Sequence, residues 1–375
     1  MVSIHTNISS SIAQRHLGDA QSQSVEAQSK LQSGSRINAG SDDAAGLQIA
    51  NRLKAQTRGI DAALSNATNA DSIAQTAEGA LHESTNMLQK LRDLGLQASN
   101  GALSRDERES IQIESKMLIN DLDRIASSTT FAGDELFDGS FGKRNFNLGP
   151  DSNAVSLTLK SMYTNIPQMG GQFAEANSDV DKNWRVSSHN QGLTIRYQDS
   201  NDEAQALDIR LKEGDDIYQV ATYINGQQDV VRASVNEDHQ LQLFTAHADA
   251  PQGFDISGSA ANTFNFGDTQ AISLDDVDMT TVGGAQVGVA VIDASLNYVD
   301  GHRSEIGGFQ NGVSRTMNSL NNTFHRIADS EGQIKDTDYA KLTTELTKSQ
   351  MLERATSTLF AQANQNTSTA LSLLG

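Results

Sequence analysis

The sequence predicts a mostly α-helical fold, opened in the middle by an α+β insert. Its N- and C-terminal segments pair as long coiled-coil helices, and a mixed α/β domain lies outermost. Three observations carry this reading. The first 130 residues hold no proline, cysteine or aromatic ring. Ile60, Ala63, Ala67, Ala70, Ala74, Ala77, Leu81, Ser84, Leu88 and Leu91 keep a strict alternation of three- and four-residue steps. The same rhythm returns at Val289, Ile292, Leu296, Val299, Arg303, Ile306, Gln310, Val313, Met317, Leu320, Phe324 and Ile327. An apolar repeat of 3.5 residues lays one seam along one side of a helix, where a partner helix covers it. Two such arrays far apart in one chain put its two ends side by side.

Each element has its own signal. Residues 3–33 are rich in Ser, Gln and Ala and carry a thin apolar stripe at Ile4, Ile8, Ile12, Leu17, Ala20, Ala27 and Leu31. That is too little burial to fold alone, so this arm is expected to order on assembly. Gly34, Asn38 and Gly40 mark a break, and Ser41, Asp42 and Asp43 supply the cap of a helix from about Ala44 to Ser99. Asn100-Gly101 ends it, and Ser104 with Glu107 fits a capping box opening a second helix with Ile111, Leu118, Leu122 and Ile125. Phe131, Phe137, Phe141 and Phe146 among glycines read as a hairpin capping the helices. Residues 155–159, 193–197, 207–211 and 241–244 alternate as strands, and 217–224 as a short helix. Gly283-Gly284 closes the insert; the second heptad array runs from about 286 to 328, and Ser330-Glu-Gly332 is expected to break it. A last helix from about Asp336 carries Leu342, Leu346 and Leu359, with Leu371 and Leu374 at its end. The expected domains are therefore 1–42 plus 334–375 as terminal arms, 43–150 plus 283–333 as a long helical rod domain with its hairpin, and 151–282 as the outer insert.

Charge follows this division. The net charge is −19, yet residues 1–42 hold three basic and three acidic groups and 334–375 hold four of each. Residues 151–282 hold 7 basic against 20 acidic groups. Neutral ends can stack on copies of themselves, whereas the acidic middle belongs in water. No basic face exists for nucleic acid, and no run approaches a membrane span. Without cysteine there are neither disulfides nor thiolate metal sites. Residues 1–8 lack the pattern of a cleaved signal peptide, so the chain is expected to stay inside the cell or leave by a route that reads none.

Candidate chemistry is sparse. Asp42-Asp43 reads as helix caps rather than an acid–base pair. Asp179, Asp181 and Asn183 have the opening rhythm of a calcium loop, but Trp184 stands where glycine is needed and Asn190 where a bidentate glutamate is needed. Gly307-Gly308-Phe-Gln-Asn-Gly312 lacks the Lys-Ser/Thr of a phosphate loop. No catalytic or metal-ligating set and no cofactor site emerges, which points to a building block rather than an enzyme.

Ser33-Gly-Ser-Arg-Ile-Asn-Ala-Gly-Ser-Asp-Asp-Ala-Ala-Gly46, continuing through Leu53, closely resembles the N-terminal signature of bacterial flagellins. Residues 72–81, 334–340 and the final Leu371-Ser-Leu-Leu-Gly375 resemble further blocks of that family, in its order. The insert is similar to that of polar-flagellum flagellins. Two positions depart from the pattern: Ser35 replaces the usual leucine and Ser41 the usual lysine. The resemblance implies a subunit that self-polymerises, alone or with sister flagellins, into an extracellular filament for swimming. A hook–filament junction protein of the same superfamily and a secreted adhesin carried by the insert are the alternatives. The resemblance also implies unfolded passage through type III export and an export chaperone on the C-terminal arm. Filament-cap and hook-junction proteins are further implied partners. Lys90, Leu94 and Glu114 match the patch that animal innate immune receptors read on many flagellins, with Lys90 in place of the usual arginine. Seam packing falls to Ile60, Leu81, Leu88, Leu91, Ile292, Leu296, Val299, Ile306 and Leu320. Arm assembly falls to Ile8, Ile12, Leu17, Leu31, Leu342, Leu346, Leu359, Leu371 and Leu374.

Overall fold

The computed structural model describes residues 7–149, 154–178, 180–181 and 183–372, with side chains described as far as Gln365. The described residues form two compact units. One takes those up to Ser65 and from Thr316 onward; the other takes Asn66–Leu148 and Ala154–Arg315.

In the first unit, helix α1 (Ile8–Ser33) starts where the Asn7 side chain accepts the Ser10 N–H at 3.0 Å and stops at Gly34, whose φ is +67°. Helix α2 (Ala44–Ala98) begins in this unit. Both carboxylates before it are spent on backbone donors. Asp42 accepts the Asn38 and Ala39 N–H groups at 2.8 and 2.9 Å, and Asp43 accepts that of Gly46 at 2.9 Å. The backbone donors, Ala39 foremost, hold the Asp42 carboxyl below the usual carboxylate range. Buried Ile37 seats against Gly46, where an added Cβ would lie 2.5 Å from the Asp43 Oδ2 and 2.7 Å from the Ile37 Cδ1, so a larger residue there would have to displace the ends of both side chains.

Helix α6 (Val282–Lys335) ends in this unit, and α7 (Tyr339–Ser372) follows. Contrary to the sequence reading, α6 runs unbroken through Ser330-Glu-Gly332. One glycine inside a helix costs only about 1 kcal/mol, and a 54-residue helix absorbs it. The break falls instead at 336–338, and there the two ends of the chain meet. Ser35 and Asp336 form an antiparallel bridge, the Arg36 N–H donates to the Lys335 carbonyl at 2.6 Å, and its guanidinium donates to that of Ile334 at 2.6 Å.

The second unit holds the rest of α2, helix α3 (Arg105–Ser128) and the first part of α6. The capping box at α3 is formed as expected, Ser104 and Glu107 exchanging hydrogen bonds. Along α2, Ala67, Ala70, Ala74, Ala77, Leu88 and Leu91 are fully buried. Antiparallel α2 and α6 are tied by Arg92–Asp293 at 2.5 Å and Glu78–Arg303 at 3.0 Å. Helix α6 is buried on two sides here, one more than its single heptad array indicates. Ile292, Val299, Ile306 and Val313 make one row; Ser295, His302 and Phe309 make the other.

That second row is covered by the segment after α3. Strands β1 (Thr130–Phe131) and β2 (Asp134–Glu135) make one hairpin; β3 (Gly142–Asn147) and β4 (Ala154–Leu159) pair as another. Phe146 meets Phe309 edge-on at 6.0 Å, the Tyr298 hydroxyl donates to the Ser161 carbonyl at 2.9 Å, and Ser295 donates to the Met169 carbonyl at 2.9 Å. Residues 154–169 thus pack on α6.

Two antiparallel sheets follow. Strands β5 (Gly170–Glu175), β8 (Val231–Val235), β9 (Leu241–Ala246) and β11 (Gln270–Ser273) join in the order β11-β5-β9-β8. Strands β6 (Gly192–Gln198), β7 (Ala204–Arg210) and β10 (Phe254–Ser257) join as β10-β6-β7. Helices α4 (Ile217–Gln227) and α5 (Ser259–Phe264) pack in the same core as Leu193, Ile195, Val220, Ile224, Leu243 and Phe264. Trp184 closes it against Phe264 at 5.2 Å.

Candidate assembly surfaces

Helices α1 and α7 pair antiparallel. The Asn7 amide donates to the Ala363 carbonyl at 2.9 Å, Ser10 to Asn364 at 2.7 Å, Gln21 to Glu353 at 3.3 Å, and the Tyr339 hydroxyl to the Leu31 carbonyl at 3.1 Å. The seam of α1 is Ser10, Ala13, Leu17, Ala20, Ser24, Ala27 and Leu31; that of α7 is Leu342, Leu346, Ser349, Glu353, Thr356, Phe360 and Ala363. Only Ala13, Ala20, Ala27, Leu342 and Ser349 among these are buried. Alanine lets the two backbones approach, but each removes only about 0.8 kcal/mol worth of apolar surface per methyl. This is a narrow zipper.

The residues expected to drive arm assembly separate into two sets. Leu342 is buried, and Leu17, Leu31 and Leu346 are half-buried in the seam. Ile8 is 65% exposed, Ile12 41% and Leu359 58%, because they fall out of seam register. Leu371 is helical with no described side chain, and Leu374 lies outside the described residues. Exposed Leu352 and Met351 join the outer set. The threonines of α7 present more apolar surface than their letter suggests. The hydroxyls of Thr343, Thr344, Thr347 and Thr358 each donate to the carbonyl four residues back, which turns their methyls to the surface.

The long-helix seam residues are brought inside as expected. Ile60, Leu81, Leu88, Leu91, Ile292, Val299 and Ile306 are buried, while Leu296 and Leu320 are half-buried. The three patch residues also come together. Lys90 on α2 and Glu114 on α3 form an ion pair at 2.8 Å with both side chains about half exposed, and half-buried Leu94 lies one turn beyond Lys90.

The second row of α6 was missed from the sequence, although Gly288, Ser295, His302 and Phe309 repeat every seven residues. Their mixed chemistry hides the period. Burial, with the Lys160 charge adding to it, pushes His302 below the ordinary histidine range, and burial pushes Tyr298 up to about 12. Both groups serve packing.

Elsewhere the candidate chemistry dissolves into structure. Asp181 accepts the Asn183 N–H at 2.8 Å, Asp179 lies outside the described residues, and Gly307–Gly312 is interior to α6. Among the described residues no cluster of three histidine or acidic groups is placed to hold a metal ion, and no helix is long and apolar enough to cross a membrane. The arrangement offers surfaces for association.

Three family models match the chain: the bacterial flagellin N-terminal helical region over residues 4–142, the flagellin hook IN motif over 192–246, and the bacterial flagellin C-terminal helical region over 289–374. The chain is 52% identical to polar flagellin E of Vibrio parahaemolyticus and 46% identical to flagellin D of Vibrio cholerae, covering 100% of this chain and of each relative. Helices paired from both ends, a strand-rich middle and this full-length similarity lead to one conclusion: the chain belongs to the bacterial flagellins, of the polar-flagellum type, and is a structural subunit of the flagellar filament.

Proposed function

We propose that self-association is the whole biochemical activity of this filament subunit, and that its arms become fully ordered only when neighbouring copies cover them. The observation that carries this is the contrast within the α1/α7 pair. Its seam is lined mainly by alanine and small polar side chains, whereas Ile8, Ile12, Leu352 and Leu359 face solvent. Burying one such leucine or isoleucine contributes about 1.5–3 kcal/mol, so a few per arm offset the ordering entropy. In this reading residues 1–42 and 334–375 form the inner layer of the filament. The helices of 43–150 and 283–333 surround it, and the acidic 151–282 insert faces water.

The chain then reaches the cell exterior unfolded through type III export, a route that suits a protein with no cysteine. Exposed Met351, Leu352 and Leu359 suit the C-terminal arm to an export chaperone before assembly. Filament-cap and hook-junction proteins would meet the same arms at the filament ends. The exposed Lys90–Glu114 pair with Leu94 is the surface proposed for an animal innate immune receptor.

Leu346→Asp tests the assembly reading. The variant is expected to remain a soluble monomer with an intact second unit and to form no filament in sedimentation or negative-stain microscopy. Filaments of normal length from that variant would show that the arms do not drive polymerisation.

A further inference from the structure

The insert guards the edges of its two sheets in different ways. Strand β8 ends the larger sheet, pairing Val231 with Thr245, Ala233 with Leu243 and Val235 with Leu241 on β9. The Asn236 N–H donates to the Gln240 carbonyl at 3.1 Å, and that bond fixes the alternation of the antiparallel ladder. Arg232 and Ser234 turn their peptide groups toward β9; Val231 and Ala233 turn theirs outward. An outward row of peptide groups on an apolar, β-prone strand is a template for another strand. Here the chain fills it from within. The Asn225 carboxamide accepts the Ala233 N–H at 2.7 Å and donates to the Ala233 carbonyl at 2.8 Å. The Gln228 carboxamide accepts the Val231 N–H at 2.8 Å and donates to the Val231 carbonyl at 2.7 Å. A carboxamide carries the acceptor and donor of a peptide group, so each one engages both main-chain groups of a residue, as an added strand does. Asn225 stands in the last turn of α4 and Gln228 caps it, while buried Val220 and Ile224 hold that helix on the core.

Strand β7 ends the smaller sheet and is treated otherwise. The Leu211 N–H donates to the Gln191 carbonyl at 2.8 Å and the Asp199 N–H to that of Glu203 at 3.0 Å. With the β6 register, those bonds turn the peptide groups of Ala204, Ala206, Asp208 and Arg210 outward. Among the described residues no side chain bonds these groups, and all four residues are exposed. Asp208 and Arg210 put charge on this edge, which discourages an added strand. The outward positions of β8 carry no charge, and that edge is the one with the carboxamides.

We propose that Asn225 and Gln228 form a built-in plug, whose carboxamides occupy the β8 edge and keep inserts of separate copies from joining strand to strand. The plug operates in the free chain, whatever the arms do. Its chemistry is specific: an aspartate at 225 would accept the Ala233 N–H but set a carboxylate against the Ala233 carbonyl.

Backbone hydrogen exchange on the full-length parent chain reads the plug without altering it. The Val231 and Ala233 amides are expected to exchange at least about a hundred-fold more slowly than those of Ala206 and Asp208. The double variant Asn225→Ala, Gln228→Ala is expected to keep cooperative unfolding at Trp184 and to lose that protection. At a concentration where the parent is monomeric, light scattering should then show it associating, with a gain of strand signal in circular dichroism. Adding Ala233→Pro removes an outward N–H and blocks a docking strand, so the triple variant should return to monomer. A general loss of structure would instead be worsened by that proline. Equal exchange at the two edges of the parent, a double variant as monomeric as the parent, or association that Ala233→Pro leaves unchanged would each overturn the proposal. So would a double variant with no cooperative transition, because the amides would then be props of the fold.

Discussion

The two helix pairs of this chain solve the same packing problem with different materials. In the second unit, α2 sets Leu81, Leu88 and Leu91 against its neighbours, and α6 is covered on two sides. In the first unit, α1 and α7 meet through alanines, serines, Leu17, Leu31, Leu342, Leu346 and Phe360, of which only Leu342 among the larger side chains is buried, while Ile8, Ile12, Leu352 and Leu359 lie outside. A pair that must stand alone spends its leucines inward. On the proposed reading, a pair completed by other copies keeps such groups outward, as Ile8, Ile12, Leu352 and Leu359 are here.

That contrast can be broken from its strong side first. Leu88→Ala leaves a cavity in a fully buried seam and is expected to cost about 2–5 kcal/mol of monomer stability, read by denaturant unfolding followed at Trp184. A smaller effect should come from the second row of α6. The proton on His302 is disfavoured by burial and by Lys160, while Glu305 opposes them. The folded chain therefore takes up that proton less readily than the unfolded one. Stability is whole above the ordinary histidine value of about 6.5 and falls as pH drops below it. Protection of the amides at residues 295–306, after correction for the intrinsic pH dependence of exchange, should fall between about pH 7 and 5, and His302→Gln should flatten that dependence. The smallest effect is expected at the surface. Lys90→Met removes an ion pair exposed on both sides and should change monomer stability by less than about 1 kcal/mol.

Periodicity made the long helices legible. The ten-residue seam from Ile60 to Leu91 is buried throughout, and the helix caps at Asp43 and Ser104 stand where the sequence put them. Strands at 192–198, 204–210 and 241–246 were visible by alternation. Much of what stayed hidden lacked a uniform apolar period, although strand 231–235 was missed with Val231, Ala233 and Val235 in alternation. Strand 170–175 opens on two glycines, strand 270–273 is half polar, and the Ser295/His302/Phe309 row mixes chemistries. The arms were half legible. Ala20, Ala27, Leu17 and Leu31 of the expected stripe do line the seam, whereas Ile8, Ile12 and Leu359 fall outside it. The break expected at Gly332 failed because one glycine costs a long helix only about 1 kcal/mol and the Gly332 carbonyl still accepts the Asp336 N–H at 2.8 Å.

Backbone hydrogen exchange, compared between monomer and filament, tests the central claim most directly. Amides of 8–33 and 339–372 should exchange almost freely in the monomer while those of 66–98 and 285–313 are protected, and all four segments should be protected in the filament. Equal protection of the arms and the long helices in the monomer would contradict assembly-coupled ordering.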